Sequence, residues 1–191
     1  MEYLSLTRRI LDFLNNKSTN VEQKTQYKTN SYNYLTDTIY LAENIDEQKP
    51  PRGIEVSNPL SGQFIMLCHE CVHSIQNKFL HILNIITANL SLIITFICVV
   101  LRIIDKTNSI LSICGLGICF INLTVRTLLE YNAIKESIIL SKKLVNSKIV
   151  DFVTEEEIEK DYNIIKKILP IALTRMVIDK YIMMLIIICV I

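Results

Sequence analysis

The sequence has no excess of charge of either sign and no run of basic residues. Its 191 residues carry 20 Lys and Arg against 19 Asp and Glu, for a net charge of +1 at pH 7. Proteins whose main partner is nucleic acid present a basic face, so this composition argues against nucleic acid as a partner. The length is that of a single domain, or of one domain with a membrane-embedded part.

A disulfide framework and a secretory leader are also missing. The six cysteines are scattered, and three lie within long apolar segments, which is typical of reduced thiols that pack as small hydrophobic side chains. Cys68 and Cys71 allow a second interpretation, as metal ligands together with His69 or His73. Residues 1–30 are polar and contain no apolar stretch that predicts a cleavable signal peptide.

Hydrophobic residues make up 50% of the chain, which is high for a soluble protein, and they are clustered. Residues 82–104 contain a single charge, Arg102, and residues 110–129 form a second apolar run. Each run is about as long as the ~20 residues that cross a bilayer. The sequence therefore predicts a transmembrane helical hairpin over residues 82–129, with its turn at residues 105–109. The alternative is the buried two-helix core of a soluble protein.

Polar residues interrupt the apolar segments at a few positions. Asn84 and Asn89 lie within the first run and are predicted to face protein or the site rather than lipid. Residues 171–191 are apolar again, but Arg175 and two further charges interrupt them. This last segment is either an incomplete third span or a helix that packs on the hairpin.

The patterns predict a mainly α protein with a small β element. Periodicity indicates a helix over residues 4–14, and Tyr and β-branched residues indicate short strands over 32–35 and 38–41. Residues 15–30 and 43–57 are predicted loops. Helix-start signals predict one helix from Asn58 to about His81 and another from Thr154 to Leu169. Three segments result, over residues 1–81, 82–129 and 130–191.

The most informative stretch is a His-Glu-x-x-His motif formed by His69, Glu70 and His73 in a helix-compatible run. On an α-helix, residues i and i+4 share a face, so both imidazoles point to one place. Two neutral imidazoles there can bind Zn²⁺, and Glu70 can act as general base on a water at the metal. The alternative is two histidines and a glutamate on the polar side of an ordinary helix.

A zinc peptidase also needs a third protein ligand, and it leaves one coordination position open. A hairpin that leaves the membrane surface after His81 returns the chain to the same side at about Leu129. Glu130 follows immediately and is therefore the predicted third ligand. Its alternative role is that of an interfacial carboxylate at the start of a helix.

The order of these elements resembles the YugP-type membrane zinc metallopeptidases, a neutral zinc metallopeptidase family whose logic is shared by the HtpX-like peptidases. The motif, the apolar hairpin and the block Glu130-Tyr131-Asn132-Ala133 carry the resemblance. It extends to Leu35-Thr36-Asp37 ahead of a strand and to Gln76, three residues after the second histidine. Lys-x-Leu and Ala-Leu-Thr segments near the C-terminus also match, so that residues 5–190 are covered.

The resemblance implies a zincin-like active-site helix followed by the transmembrane hairpin. It implies that His69, His73 and Glu130 bind about one Zn²⁺ per chain and that Glu70 is the catalytic base.

Further roles follow for residues around the metal. By the same resemblance Asn132 and Gln76 lie in the outer shell, where hydrogen bonds orient the ligands and tune the metal. Arg175 and Tyr131 are candidates for oxyanion or substrate contacts. The strand around residues 39–41 is a candidate to pair with an extended peptide substrate.

Three features depart from the family's pattern. Val72 stands where the family has Gly before the second histidine, Arg175 stands where it tends to have Tyr, and the N-terminal membrane helix is not seen. They motivate a second hypothesis, a catalytically inactive membrane protein of the same fold that binds zinc or acts as a scaffold for partners. A third is a small membrane interaction protein whose motif is accidental.

The leading hypothesis is a membrane-bound, zinc-dependent endopeptidase that acts on peptide or protein substrates at the surface of the lipid bilayer. Basic residues flank the two ends of the hairpin more than its tip, and by the positive-inside rule this places the site on the cytoplasmic side. The expected location is the plasma membrane of a bacterium.

Overall fold

The computed structural model of the chain describes residues 3–24, 30–42, 59–103, 109–167 and 182. The chain is mainly helical with a small three-stranded sheet, as the sequence predicted. It forms two compact units. The first comprises Met1–Gln76 and Tyr131–Leu169, and the second comprises Asn77–Glu130 and Pro170–Ile191.

The first unit begins with helix α1, Tyr3–Phe13, close to the predicted helix over residues 4–14. Its apolar face buries Leu6, Ile10 and Leu11. The helix ends where Asn15 adopts a left-handed φ of 56°, a conformation that Asn tolerates better than most residues. The chain is thereby redirected into the sheet.

The sheet has the strand order β1-β3-β2, with β1 at Asn20–Lys24, β2 at Ser31–Asn33 and β3 at Thr38–Ala42. β3 pairs in parallel with β1 and antiparallel with β2. The two predicted strands correspond to β2 and β3. β1 falls in the predicted loop over residues 15–30, so that prediction was wrong. Asn, Glu and Lys in β1 have low strand propensity, and the strand forms because it pairs with a neighbour.

Helix α2, Pro59–Ile75, carries the His-Glu-x-x-His motif. The predicted single helix to His81 was wrong, because α2 ends at Ile75 and helix α3, Lys78–Ile103, begins after Asn77. The side-chain Oδ1 of Asn77 accepts the N–H of Phe79 at 2.9 Å. This is an N-cap, which satisfies a donor that a new helix leaves free.

The core of the first unit brings together α1, the sheet, α2 and the second half of helix α4, Ser109–Asn146. Ile39 and Leu41 of β3 and Leu67 of α2 are fully buried in it. The buried apolar residues of α4 are Ala133, Ile138, Leu140 and Leu144. Helix α2 is therefore held on several sides by apolar side chains.

Residues 155–167 form a further helix, α5. The predicted capping box is present, because the Thr154 N–H donates to Glu157 Oε2 at 2.9 Å and the Glu157 N–H donates to Thr154 Oγ1 at 3.3 Å. Asp161 of α5 is fully buried and accepts a 2.6 Å hydrogen bond from the hydroxyl of Ser61. Ser61 lies in the first turn of α2, so the carboxylate also complements the positive end of that helix.

The second unit is a pair of antiparallel helices, α3 and the first half of α4. The side-chain amide of Asn122 donates to Asn84 Oδ1 at 3.1 Å and to Thr87 Oγ1 at 3.0 Å. A Cβ at Gly115 would lie 2.8 Å from Ile94 Cγ2, so the two helices approach each other closely there, whereas Gly117 has open space around it. Asn84 therefore faces protein, as predicted.

Asn89 does not follow that prediction. It is exposed, and its amide donates to the backbone carbonyl of Ile85 one turn earlier at 3.0 Å. This back-bond satisfies the side chain within its own helix.

Two helical stretches, Lys78–Leu101 and Ile110–Asn146, are long and apolar enough to cross a membrane. Only 11% and 28% of their most apolar windows are buried. Core helices of a soluble protein would be mostly buried, so the outward-facing side chains favour the predicted hairpin. The most exposed of these are Phe79, Leu92, Phe96, Ile110 and Ile113.

The predicted segment boundary between Leu129 and Glu130 falls inside one continuous helix, because α4 runs from Ser109 to Asn146 without a break. Several predictions fall outside the described residues. They are the loop at 43–57, the Asn58 cap, most of the turn at 105–109, the break at Pro170 and the apolar segment over 171–191.

Candidate metal centre

The two histidines of the motif converge as their spacing predicts. The Nε2 atoms of His69 and His73 lie 3.0 Å apart, and the ring planes meet at 81°. Each histidine sits on α2 one turn from the other, and neighbouring α2 residues pack into the core on the other side of the helix. The helix thus presents two imidazole nitrogens to the same point.

Gln76 orients one of these rings. Its side-chain Oε1 lies 2.7 Å from Nδ1 of His73. An amide oxygen can only accept a hydrogen bond, so Nδ1 carries the proton and Nε2 keeps its lone pair. This is the tautomer that a ligand needs when it binds a metal through Nε2. Gln76 therefore contacts the ring of His73, and its role in the outer shell of a metal site stays a prediction.

Glu130 completes the group. One ligand atom each from His69, His73 and Glu130 all lie within 4.8 Å of one another. Glu130 is the residue of α4 directly before Tyr131, at which the second segment of the first unit begins. The three side chains predicted as ligands are thus brought together and could hold a metal ion.

The chemistry of these donors suits zinc. Two nitrogens that bind Zn²⁺ tetrahedrally at about 2.05 Å are about 3.3 Å apart, close to the 3.0 Å between the two Nε2 atoms. Two neutral imidazoles and one carboxylate make up the ligand set of several catalytic zinc sites, in which a fourth position stays open. The residues present therefore fit the metal that the motif predicts.

Glu70 is anchored by the sheet. Its Oε2 accepts the backbone N–H of Tyr32 at 2.7 Å, and the residue is only 7% exposed. Tyr32 lies opposite Ile39 in the β2–β3 register, and its N–H points away from β3 toward α2. The strand β2 thus fixes one carboxylate oxygen of Glu70, the residue that directly follows His69 on α2.

Cys68 and Cys71 do not belong to the metal group. Both are fully buried in the core of the first unit. Burial raises the pKa of the Cys68 thiol to about 12, against a smaller lowering by its hydrogen bond with Ser141. Burial also raises the pKa of Cys71 well above its usual range. Both thiols stay protonated at neutral pH and act as small core side chains.

The remaining predicted site residues are Asn132, Tyr131 and Arg175. Asn132 is exposed and lies two residues after Glu130, about 200° around the helix, so the structure does not bring it to the ligand group. Tyr131 is 48% exposed, and its suggested contact with substrate stays a prediction. Arg175 lies outside the described residues.

Two further expectations concern the surroundings of α2. Val72, at the position where the resembled family has Gly, is 3% exposed and packs in the core. β3 cannot take up a peptide at its edge, because β1 and β2 already pair with its two sides. The prediction that residues 39–41 pair with a substrate was therefore wrong. The strand that contacts Glu70 is β2, which lies at an edge of the sheet.

Sequence reasoning missed the contribution of Tyr32. The bond to Glu70 is made by a backbone N–H, a group that every residue except proline carries. The identity of the side chain therefore gives no signal for it, and only the three-dimensional position of β2 reveals it.

No protein-family model, no curated protein and no solved structure matches the chain. The features that define the site are the convergence of residues 69, 73 and 130 and the hydrogen bond that holds His73.

Proposed function

We propose that the protein is a membrane-bound, zinc-dependent endopeptidase of the YugP type with a zincin-like active-site helix. The observation that carries the proposal is the convergence of His69, His73 and Glu130 within 4.8 Å, with Glu70 held beside them. Gln76 supports it by giving His73 the tautomer that a zinc ligand requires.

Three side chains would hold the metal. The lone pairs on the Nε2 atoms of His69 and His73 and a carboxylate oxygen of Glu130 are the donors. A zinc ion held by these side chains would supply Lewis-acid chemistry, lowering the pKa of the attacking water to ~7 and polarising the scissile carbonyl.

Glu70 supplies the proton transfers. The bond from the Tyr32 N–H to Oε2 orients the carboxylate for proton transfer. In this role Glu70 takes a proton from the water and passes it to the nitrogen of the leaving amine. The burial of Glu70 excludes bulk water from competing for that proton.

The apolar hairpin supports attachment to a bilayer. Exposed Leu, Ile and Phe side chains cover much of the second unit, and its polar Asn122 is satisfied between the helices. Inward polar bonds and outward apolar side chains are the arrangement that lipid requires. A bacterial plasma membrane, with the site on the cytoplasmic face, is the proposed location.

The first experiment measures metal and cleavage together on the detergent-purified full chain. Wild type is compared with Glu130→Gln, and with Glu136→Gln as a matched change at an exposed position of the same helix. We expect about one zinc per chain in wild type and in the Glu136 variant, and much less in the Glu130 variant.

Cleavage of an unstructured protein substrate then tests the reaction. Glu70→Gln should keep the zinc but lose hydrolysis, because only the base is removed. A folded wild-type protein without zinc would overturn the proposal. Zinc without cleavage of any substrate would instead leave the second hypothesis, a metal-binding scaffold with the same fold.

A further inference from the structure

Asp37 is the centre of a hydrogen-bond cluster in the first unit. It lies in the turn between β2 and β3, where its Oδ1 accepts the hydroxyl of Tyr32 at 3.0 Å and that of Thr19 at 2.8 Å. Its Oδ2 accepts the hydroxyl of Ser18 at 3.4 Å, and its backbone carbonyl accepts the N–H of Asn20 at 2.9 Å. One carboxylate thus joins the start of β1 to β2.

The cluster continues to the end of the active-site helix. The side-chain amide of Asn16 donates to Thr19 Oγ1 at 2.8 Å and to Ser74 Oγ at 2.9 Å. Ser74 directly follows His73 on α2 and is 6% exposed. The polar path from Asp37 therefore reaches α2 one residue after a metal ligand.

Tyr32 connects the same cluster to Glu70. Its hydroxyl donates to Asp37, and its backbone N–H donates to Glu70 Oε2 at 2.7 Å. Burial, followed by the hydrogen bond to Asp37, raises the pKa of Tyr32 above its usual value, so the hydroxyl stays a donor at every physiological pH. Both bonds depend on the position of one short edge strand.

We infer that Asp37 is a positioning residue for the general base: by holding the Tyr32 hydroxyl it fixes the N–H that orients the carboxylate of Glu70. The inference rests on the proposed function, and it adds a residue that touches neither metal nor substrate. β2 has only three residues and one neighbouring strand. Asp37 replaces the constraint that a second neighbouring strand would supply.

The backbone of Asp37 provides a matched pair of variants. Its φ of 47° is left-handed, a conformation open to Gly and to Asn. Asp37→Gly keeps the turn and removes the acceptor, whereas Asp37→Asn keeps the turn and one acceptor oxygen. A difference between them therefore reports the acceptor. Tyr32→Phe removes the same bond from the other side and leaves the backbone N–H in place.

The first readout is hydrogen exchange of the residue 32 amide in the detergent-solubilised full chain, which needs no activity. We expect exchange about tenfold faster in Asp37→Gly and Tyr32→Phe than in wild type, as for the loss of one hydrogen bond. Asp37→Asn should stay close to wild type, and amides in α4 should not change. Equal exchange in all four proteins would overturn the inference.

The second readout is steady-state cleavage. Asp37→Gly should lower kcat about tenfold or more with KM and zinc content unchanged, and Asp37→Asn should restore most of it. A loss of zinc, or a rise in KM alone, would show a merely structural role and overturn the inference. Wild-type protein that cleaves nothing marks failure of the proposed function, and the amide exchange still decides whether Asp37 holds Tyr32.

Discussion

The hydrogen bond between Gln76 and His73 gives a sharp test of the metal centre. Replacing Gln76 by Leu removes the oxygen that lies 2.7 Å from Nδ1 of His73 and keeps a side chain of similar size. The ring then loses the partner that selects its tautomer and raises its basicity. The variant should still bind zinc, but more weakly.

The position of Gln76 sets the size of the effect. Loss of an outer-shell partner typically costs 10–100-fold in metal affinity. Gln76 is half-buried, and its neighbour Ile75 is 48% exposed, so water can replace the lost acceptor. We therefore expect the lower end of that range, about tenfold, which corresponds to about 1.4 kcal/mol.

The assay is competition for zinc with a chromophoric chelator, using the detergent-purified full chain. Gln76→Glu should bind zinc at least as tightly as wild type, because a carboxylate is the stronger acceptor for Nδ1–H. Gln63→Leu is the matched control on the same helix, since Gln63 bonds the hydroxyl of Tyr3 at 3.0 Å and should not affect affinity. Equal affinities for wild type and Gln76→Leu would refute the assignment of His73 as an oriented ligand.

The remaining predictions concern the cores of the two units. At pH 8, iodoacetamide should leave Cys68 and Cys71 unmodified in the folded protein and label both after unfolding, because burial keeps the thiols protonated; labelling faster than unfolding would contradict this. Asp161→Ala should lower the free energy of unfolding by about 2–3 kcal/mol and Asp161→Asn by less, measured by thermal melting, since a buried hydroxyl loses its charged acceptor. Gly115→Val should destabilise the helix pair by about 1–3 kcal/mol through overpacking, whereas Gly117→Val should not; equal melting temperatures of the two variants would place the helix contact elsewhere.

Much of the fold could be predicted because its signals are local. The apolar runs predicted α3 and the first half of α4, and the capping box at Thr154 predicted where α5 begins. Errors arose where pairing or capping decides. β1 has a polar sequence and exists because β3 offers it a partner, and α2 ends early because Asn77 caps the next helix.

In the site, too, the contacts set by local sequence spacing could be predicted, and the contacts between residues distant in sequence could not. His69 and His73 could be predicted to converge because a spacing of four residues brings side chains to one face of any helix. The groups that hold Glu70 and the end of α2 could not be predicted. Asp37 and Asn16 lie far from the motif in sequence, and their bonds depend on where the sheet packs against α2.

The predictions for Glu130 and Asn132 depended differently on where the helices begin and end. The prediction of Glu130 assumed that a hairpin ends at Leu129 and a new helix follows, whereas α4 is continuous. Glu130 still converges with His69 and His73, because this convergence requires only a chain that returns to its starting side. The role of Asn132 needed the angular position around the helix as well. Continuity of α4 places Asn132 about 200° from Glu130, away from the helix face that carries Glu130.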